Sequence, residues 1–159
     1  FIACSGTRES SPSKYAYSGM MSCSAANLLH AGPVSCEFGC IGFGDCMKAC
    51  EFGAITNENG KTTVCKDVCV GCGKCTKACP KGIISLVPKN ATPVVVCSNK
   101  KKGAAVVKVC KNSCIACMMC EKNCPSGAIK VTDNVAKIDY SICNSCGKCK
   151  EVCKRNAII

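Results

Sequence analysis

Apolar residues in this chain come in short bursts separated by polar, glycine and cysteine positions, with no long amphipathic stripe. Only short elements fit such a pattern. The segments after Cys50 and Cys124 each read as a short helical turn followed by a strand. Lys61-Thr-Thr-Val64 and Val135-Ala-Lys-Ile138 are predicted to pair with Ile83-Ile84-Ser-Leu-Val87 and with its counterpart at the C-terminus. Asn57-Glu-Asn-Gly60 and Asp133-Asn134 supply the turns, and Pro88-Lys-Asn-Ala-Thr-Pro93 reads as a linker. No stretch approaches the ~18 consecutive apolar residues of a membrane span, and no signal-peptide pattern is visible.

The 159 residues suit one ordinary domain or two small ones. Aromatic content is 4% and Trp is absent, so a large conventional core is not expected. Cysteine is the exception, at 21 residues, a level that marks a cysteine-built scaffold. Small domains need such staples because burial alone leaves them marginal. Secreted disulfide frameworks do not repeat C-x2-C-x2-C, and an odd number of cysteines cannot all pair. Metal ligation in a reducing compartment is the better reading.

The spacing says which metal. Cys69-Val-Gly-Cys72-Gly-Lys-Cys75-Thr-Lys-Ala-Cys79-Pro80 is a C-x2-C-x2-C-x3-C-P run, the pattern with which bacterial ferredoxins hold [4Fe–4S] clusters. Zinc sites usually take their four ligands as two separate pairs. Three further groups flank this run: Cys40, Cys46 and Cys50; Cys114, Cys117, Cys120 and Cys124; and Cys143, Cys146, Cys149 and Cys153. A shift of 74 positions lays the first two groups on the last two, and Gly53-Ala54-Ile55 on Gly127-Ala128-Ile129. The chain is therefore a tandem duplication of a two-cluster module.

The predicted fold class is α+β: two tandem bacterial 2[4Fe–4S] ferredoxin-like modules, stapled by clusters and poor in regular secondary structure. The expected divisions are a cysteine-bearing segment at 1–35, a first module at 36–90, a linker carrying a cluster ligand at 91–109 and a second module at 110–159.

In two-cluster ferredoxins the fourth cysteine of each run crosses to the other cluster. That rule assigns Cys114, Cys117, Cys120 and Cys153 to one cluster, and Cys143, Cys146, Cys149 and Cys124 to another. In the first module Cys69, Cys72, Cys75 and Cys50 form a complete set. Cys40, Cys46 and Cys79 are one ligand short, because Phe43 stands where the repeat has Cys117. The short set is either a three-cysteine [3Fe–4S] site or one completed from outside.

Six cysteines lie beyond the runs: Cys4, Cys23, Cys36, Cys65, Cys97 and Cys110. Two partitions stay open. Cys36 completes the short set and Cys4, Cys23, Cys97 and Cys110 make a fifth cluster, or Cys4 completes it and Cys23, Cys36, Cys97 and Cys110 make the fifth. The 74-residue register places Cys23 on Cys97 and Cys36 on Cys110, gives Cys4 no mate, and sets Cys65 on Asp139. Cys65 is therefore the thiol left free. Four or five clusters are expected in all.

The formal charge is +11, but each [4Fe–4S]2+ core with four thiolates carries about −2, so four clusters bring it to about +3. That offset argues against a nucleic-acid partner. Asn99-Lys100-Lys101-Lys102-Gly103 reads as a solvated turn or, more sharply, as a docking patch for an acidic partner such as soluble ferredoxin. His30, the single histidine, is expected at the surface or at a helix end rather than on a metal. No G-x-G-x-x-G completes the cluster-loop glycines, so neither flavin nor nicotinamide has a site and this chain alone performs no bond chemistry.

Cys4-Ser-Gly-Thr, Tyr15-x-Tyr17-x-Gly19, Cys23-x-Ala25-Ala26, Cys36-Glu-Phe-Gly-Cys40-Ile-Gly-Phe-Gly-Asp-Cys46 and Cys97-Ser-Asn-Lys together resemble the ferredoxin-rich part of the B subunit of the Rnf complex, in its long clostridial form. The resemblance runs over essentially the whole chain, and the Cys36–Cys46 stretch is its most specific part. It implies a peripheral, cytoplasmic-side subunit of a membrane-bound ferredoxin:NAD+ oxidoreductase that couples electron flow to Na+ or H+ transport. In such a complex the B subunit takes electrons from reduced ferredoxin and passes them to other subunits. The family's N-terminal membrane anchor and the cluster domain after it are not in this sequence. The start at Phe1 suggests a fragment or a processed product. Glu51 and Lys154 stand where the family usually has Pro after the fourth cysteine. A polyferredoxin subunit of a hydrogenase or formate dehydrogenase would share the cysteine runs, and a structural zinc protein is the rival of another class.

Overall fold

The computed structural model describes residues 1–159. Its elements are short: helix α1 (Cys23–Asn27), α2 (Asp45–Lys48), strands β1 (Ile55–Glu58) and β2 (Lys61–Val64), α3 (Lys74–Ala78), α4 (Ala104–Val109), α5 (Met119–Lys122), β3 (Ile129–Thr132), β4 (Val135–Ile138) and α6 (Lys148–Glu151). No helix is long and apolar enough to cross a membrane.

The strands form two antiparallel hairpins. β1 pairs with β2, Ile55 facing Val64, and β3 pairs with β4, Ile129 facing Ile138. Asn59 and Gly60 turn the first hairpin and Asp133 and Asn134 the second, all four with positive φ, as two-residue hairpin loops require. The predicted turns are therefore present but the predicted partners are not. Lys61–Val64 and Val135–Ile138 pair locally across those turns rather than with Ile83–Val87 and its counterpart. A two-residue turn closes a hairpin at little entropic cost, whereas the more distant pairing would have to close a longer loop.

The segments after the second and fourth cysteine runs instead meet the chain ahead of Cys4 and Cys97. Ala3 N–H donates to Ile83 O and Ser85 N–H to Phe1 O. In the other half, Val94 and Ile159 exchange both backbone bonds and Val96 N–H donates to Ala157 O. Ile2 faces Ile84 just as Val95 faces Ile158.

Two small cores follow the repeat. One gathers Ile2, Cys46, Ile55, Ile83 and Ile84; the other gathers Val95, Cys120, Ile129, Ala136, Cys149 and Ile158. Half-buried cysteines pack around both, so each core is the apolar wall of a thiol-lined space rather than a filled interior. A smaller cluster joins Cys23, Ala26 and Ile41, with Tyr17 and Phe43 against it at a ring separation of 5.3 Å.

Helices of four to six residues and two-stranded hairpins do not persist alone in water. Cluster coordination must therefore supply much of the folding free energy. Removing iron with a chelator under anaerobic conditions is expected to abolish the strand and helix signal in far-ultraviolet circular dichroism. A chelated chain that kept its native spectrum would contradict this account.

Candidate metal centres

Each cysteine run is shaped by two left-handed residues. One lies between the first and second ligand positions: Gly42, Gly71, Ala116 or Ser145. The other immediately precedes the short helix: Gly44, Gly73, Met118 or Gly147. These reversals of φ wrap the loop and put the third cysteine, Cys46, Cys75, Cys120 or Cys149, in the first turn of α2, α3, α5 or α6. The loop around Phe43 has the same pair of reversals as the other three. It keeps the wrapped shape although it lacks the second thiol.

The thiols line cavities in groups of four. Cys50, Cys69, Cys72 and Cys75 share one, and Cys124, Cys143, Cys146 and Cys149 share another. Both match the sets expected from the crossing fourth cysteine. Burial pushes the Cys120 thiol up to about 11, with Cys114, Cys117 and Cys153 near enough to add repulsion, as the third expected set requires.

Cys40, Cys46 and Cys79 line a cavity whose fourth thiol is Cys23. Neither Cys36 nor Cys4, the two residues expected to complete this set, lines this cavity. Cys23 is carried there by α1, which is fastened to α2 through one carboxylate. Asp45 Oδ2 accepts from the Ser22 hydroxyl at 2.9 Å and from Ser24 N–H at 3.0 Å. Burial works against the charge on Asp45, but the backbone N–H groups of Ser24 and Cys23 and the Ser22 hydroxyl outweigh it and hold the carboxyl below its ordinary range. The Tyr17–Phe43 pair closes the side that a cysteine at 43 would have occupied.

The remaining extra cysteines, Cys4, Cys36, Cys97 and Cys110, line a single cavity together with Cys40. Here the 74-residue register misleads. The chain around Cys4 is the structural counterpart of the chain around Cys97, as their matched backbone pairings with the ends of the two modules show. Ile2-Ala3-Cys4-Ser5 and Val95-Val96-Cys97-Ser98 were the available signal. Cys4 and Cys36 are 32 positions apart whereas Cys97 and Cys110 are 13 apart, so 19 extra residues hid the match, and Cys23 lies in that insertion. Cys65 is exposed and lines none of these cavities. Its N–H bonds to Ala54 O as that of Asp139 bonds to Ala128 O, an ordinary loop position in both modules.

The donor set fits an iron–sulfur core. Burial pushes the Cys4 and Cys46 thiols up to about 12 and Cys97 up to about 11, with other cysteines adding repulsion. Four thiolates so placed need a cationic core among them. Donors aimed at sulfur are also present. Cys40 N–H points at Cys4 Sγ (3.4 Å), Cys114 N–H at Cys97 Sγ (3.3 Å) and Asn99 Nδ2 at Cys36 Sγ (3.3 Å). The Thr62 hydroxyl lies 3.3 Å from Cys40 Sγ. Burial raises Cys124, but the Ser126 hydroxyl and the N–H groups of Ile129, Ala128 and Ser126 outweigh it and bring this thiol below its ordinary range. Such hydrogen bonds are a main lever on cluster potential.

Lys100, Lys101 and Lys102 are exposed. Lys101 is held by Glu37 at 3.0 Å, while Lys100 and Lys102 make no ion pair. His30 is exposed and lines none of the cysteine cavities.

Comparison with known proteins points to the same cofactor. Two family models, each described as a 4Fe-4S dicluster domain, match residues 39–84, and 68–128 with 113–157. The 68–128 match bridges two cysteine runs that the structure assigns to different modules, because the motif itself repeats. The B subunit of a proton-translocating ferredoxin:NAD(+) oxidoreductase complex from Clostridium ljungdahlii is 46% identical over 99% of this chain and 56% of its own length. Its counterpart in the Na(+)-translocating complex of Acetobacterium woodii is 41% identical over 99% of the chain and 47% of its own. That of an ion-translocating oxidoreductase complex from Methanosarcina acetivorans is 39% identical over 99% and 60%. The chain thus spans about half the length of the curated relatives it matches, and the resemblance seen in its motifs is borne out.

Alkylation should isolate the odd thiol. If every other cysteine is held on iron, a thiol reagent added to the native, anaerobic protein is expected to label Cys65 and no other residue. Peptide mapping that found label on Cys4, Cys23, Cys36, Cys97 or Cys110 would refute the grouping.

Proposed function

As the chain belongs to the 4Fe–4S dicluster domain family, we propose that it is the electron-carrying portion of a B subunit of an ion-translocating ferredoxin:NAD+ oxidoreductase, receiving electrons from reduced ferredoxin. The observation that carries this reading is the match over nearly the whole chain to B subunits so named, joined to cysteine groupings that suit several clusters. The clusters, when bound, supply one-electron transfer without bond chemistry.

The residues divide the remaining work. Cys50, Cys69, Cys72 and Cys75 hold one cluster, and Cys23, Cys40, Cys46 and Cys79 a second. Cys114, Cys117, Cys120 and Cys153 hold a third, and Cys124, Cys143, Cys146 and Cys149 a fourth. The cysteines exposed in three of these sets, Cys69 and Cys72, Cys117, and Cys146, mark edges that a partner protein can approach. The Cys23 set has no exposed thiol and is shielded by α1 and the Tyr17–Phe43 pair, so it serves the interior of the path. Asp45 positions Cys23 through α1. The chain works as a peripheral part of its membrane complex, on the cytoplasmic side, among the other subunits of that complex.

Lys100, Lys101 and Lys102 are the proposed ferredoxin contact. Replacing all three with Gln should slow electron uptake from reduced ferredoxin about tenfold at low salt, with the difference shrinking as salt screens the attraction. Stopped-flow bleaching of the visible absorption follows the rate. Equal rates at low ionic strength would leave the run a solvated turn, and failure of ferredoxin to reduce the wild-type chain at all would sink the larger proposal.

Cys23→Ala tests the second ligand set. The variant is expected to lose up to about four irons, one cluster's worth, and Asp45→Ala should make the same cluster labile. Full iron in Cys23→Ala would return the set to three cysteines.

A further inference from the structure

The cavity lined by Cys4, Cys36, Cys97 and Cys110 shares one cysteine, Cys40, with the four sets above. Cys40 also lines the cavity of Cys23, Cys46 and Cys79, and its sulfur lies beside the Thr62 hydroxyl. Four thiols remain, two from each half of the chain. Cys4 and Cys97 are local counterparts, each reached by the N–H of the first cysteine of the following run, Cys40 or Cys114. Cys36 and Cys110 are the second pair, each four positions before that same cysteine.

We infer that Cys4, Cys36, Cys97 and Cys110 hold a fifth [4Fe–4S] cluster seated between the two modules, an inference that rests on the iron–sulfur reading above. Neither partition open from the sequence has this ligand set, since both used Cys23, which the structure places elsewhere.

The surroundings are built for anionic sulfur. Cys36 faces the N–H groups of Phe38 and Gly39 and the Asn99 side chain. Cys4 faces those of Cys40 and Gly6, and Cys97 those of Asn99 and Cys114. Asn99 is 2% exposed, and its Oδ1 accepts from Lys101 N–H at 2.8 Å, which turns its amide nitrogen toward Cys36. The site also sits where the halves are tied together. Ser98 Oγ donates to Phe38 O at 2.9 Å, Ser5 N–H to Val96 O at 3.0 Å, and Lys111 N–H to Ser10 O at 3.0 Å. A cluster here takes ligands from both modules and fixes one to the other. It also supplies the relay by which electrons cross between them.

Iron and sulfide analysis of the anaerobically reconstituted full chain tests this. About twenty irons per chain are expected, against about sixteen for four clusters. Cys4→Ala and Cys97→Ala should each lose about four, and Cys65→Ala none. Should either cysteine variant fail to fold, Asn99→Leu decides. It should keep full iron while electron paramagnetic resonance titration shows one species, and only one, moved to a lower midpoint potential by loss of a donor to Cys36 sulfur. A wild-type chain with about sixteen irons, or an Asn99→Leu titration with no species moved, would overturn the fifth site alone. A wild-type chain without iron or sulfide would overturn the iron–sulfur reading itself.

Discussion

Gathering four thiolates into one buried space sets their mutual repulsion and their desolvation against folding, and only a cationic core among them reverses the sign. The rest of the chain reflects that constraint. Its helices are too short to be stable alone, and five of the six carry one cysteine each. Its hairpins are two-stranded, and its buried apolar residues form walls behind thiols instead of a continuous interior. The excess of lysine and arginine over acid answers the same need at longer range, offsetting negative charge that the clusters bring.

The first module shows how the constraint is met when a ligand is lost. Phe43 could have left a three-cysteine site, and the loop around it is otherwise unchanged, with Gly42 and Gly44 in the left-handed region like their counterparts. The 19 extra residues between Cys4 and Cys36 carry the substitute. Cys23 arrives on a five-residue helix whose N-terminal Ser22 and Ser24 are gripped by Asp45, the residue directly before Cys46. Phe43 then covers the thiol's flank instead of supplying one. The thiols lining that cavity are thereby kept at four by a segment that the second module does not possess.

The motif cysteines were legible because cluster loops are local: ligand spacing and the wrapped backbone lie within a dozen residues, and the crossing fourth cysteine follows a general rule. The fold class and the hairpin turns were legible for the same reason. What failed depended on chain separated by long, variable segments. A single fixed shift paired Cys23 with Cys97, because it could not absorb a 19-residue insertion, and so the true mate, Cys4, looked solitary. The strand partners failed likewise. Ile83-Ile84 has strand character but meets Ile2, far away in sequence, while β2 finds β1 across a two-residue turn. Asp45 carries no sequence signal as the anchor of α1, since its role exists only once that helix is docked.

Repetition alone would make the two halves electrically equivalent, and equivalent clusters give electrons no preferred order. The differences lie in the donors around sulfur. Thr62, buried beside Cys40, is fixed there by Asn57 Nδ2 at 2.7 Å, whereas its counterpart is Ala136, which has no hydroxyl to offer Cys114. Between the modules, Asn99 gives Cys36 a side-chain N–H, but the residue in the matching place ahead of Cys110 is Gly6. A Cβ there would lie 4.0 Å from Cys110 Sγ, so the position is right and the donor is missing. Donors to sulfur stabilise the reduced cluster. The Thr62 difference therefore favours electrons on the proposed Cys40 site over the Cys114 site, whereas the Asn99 donor acts on the single site that Cys36 and Cys110 would share. The backbone supplies a near-symmetric set of thiol groups; the Thr62 hydroxyl, present in one half only, distinguishes two that correspond, and the Asn99 amide makes the shared one lopsided.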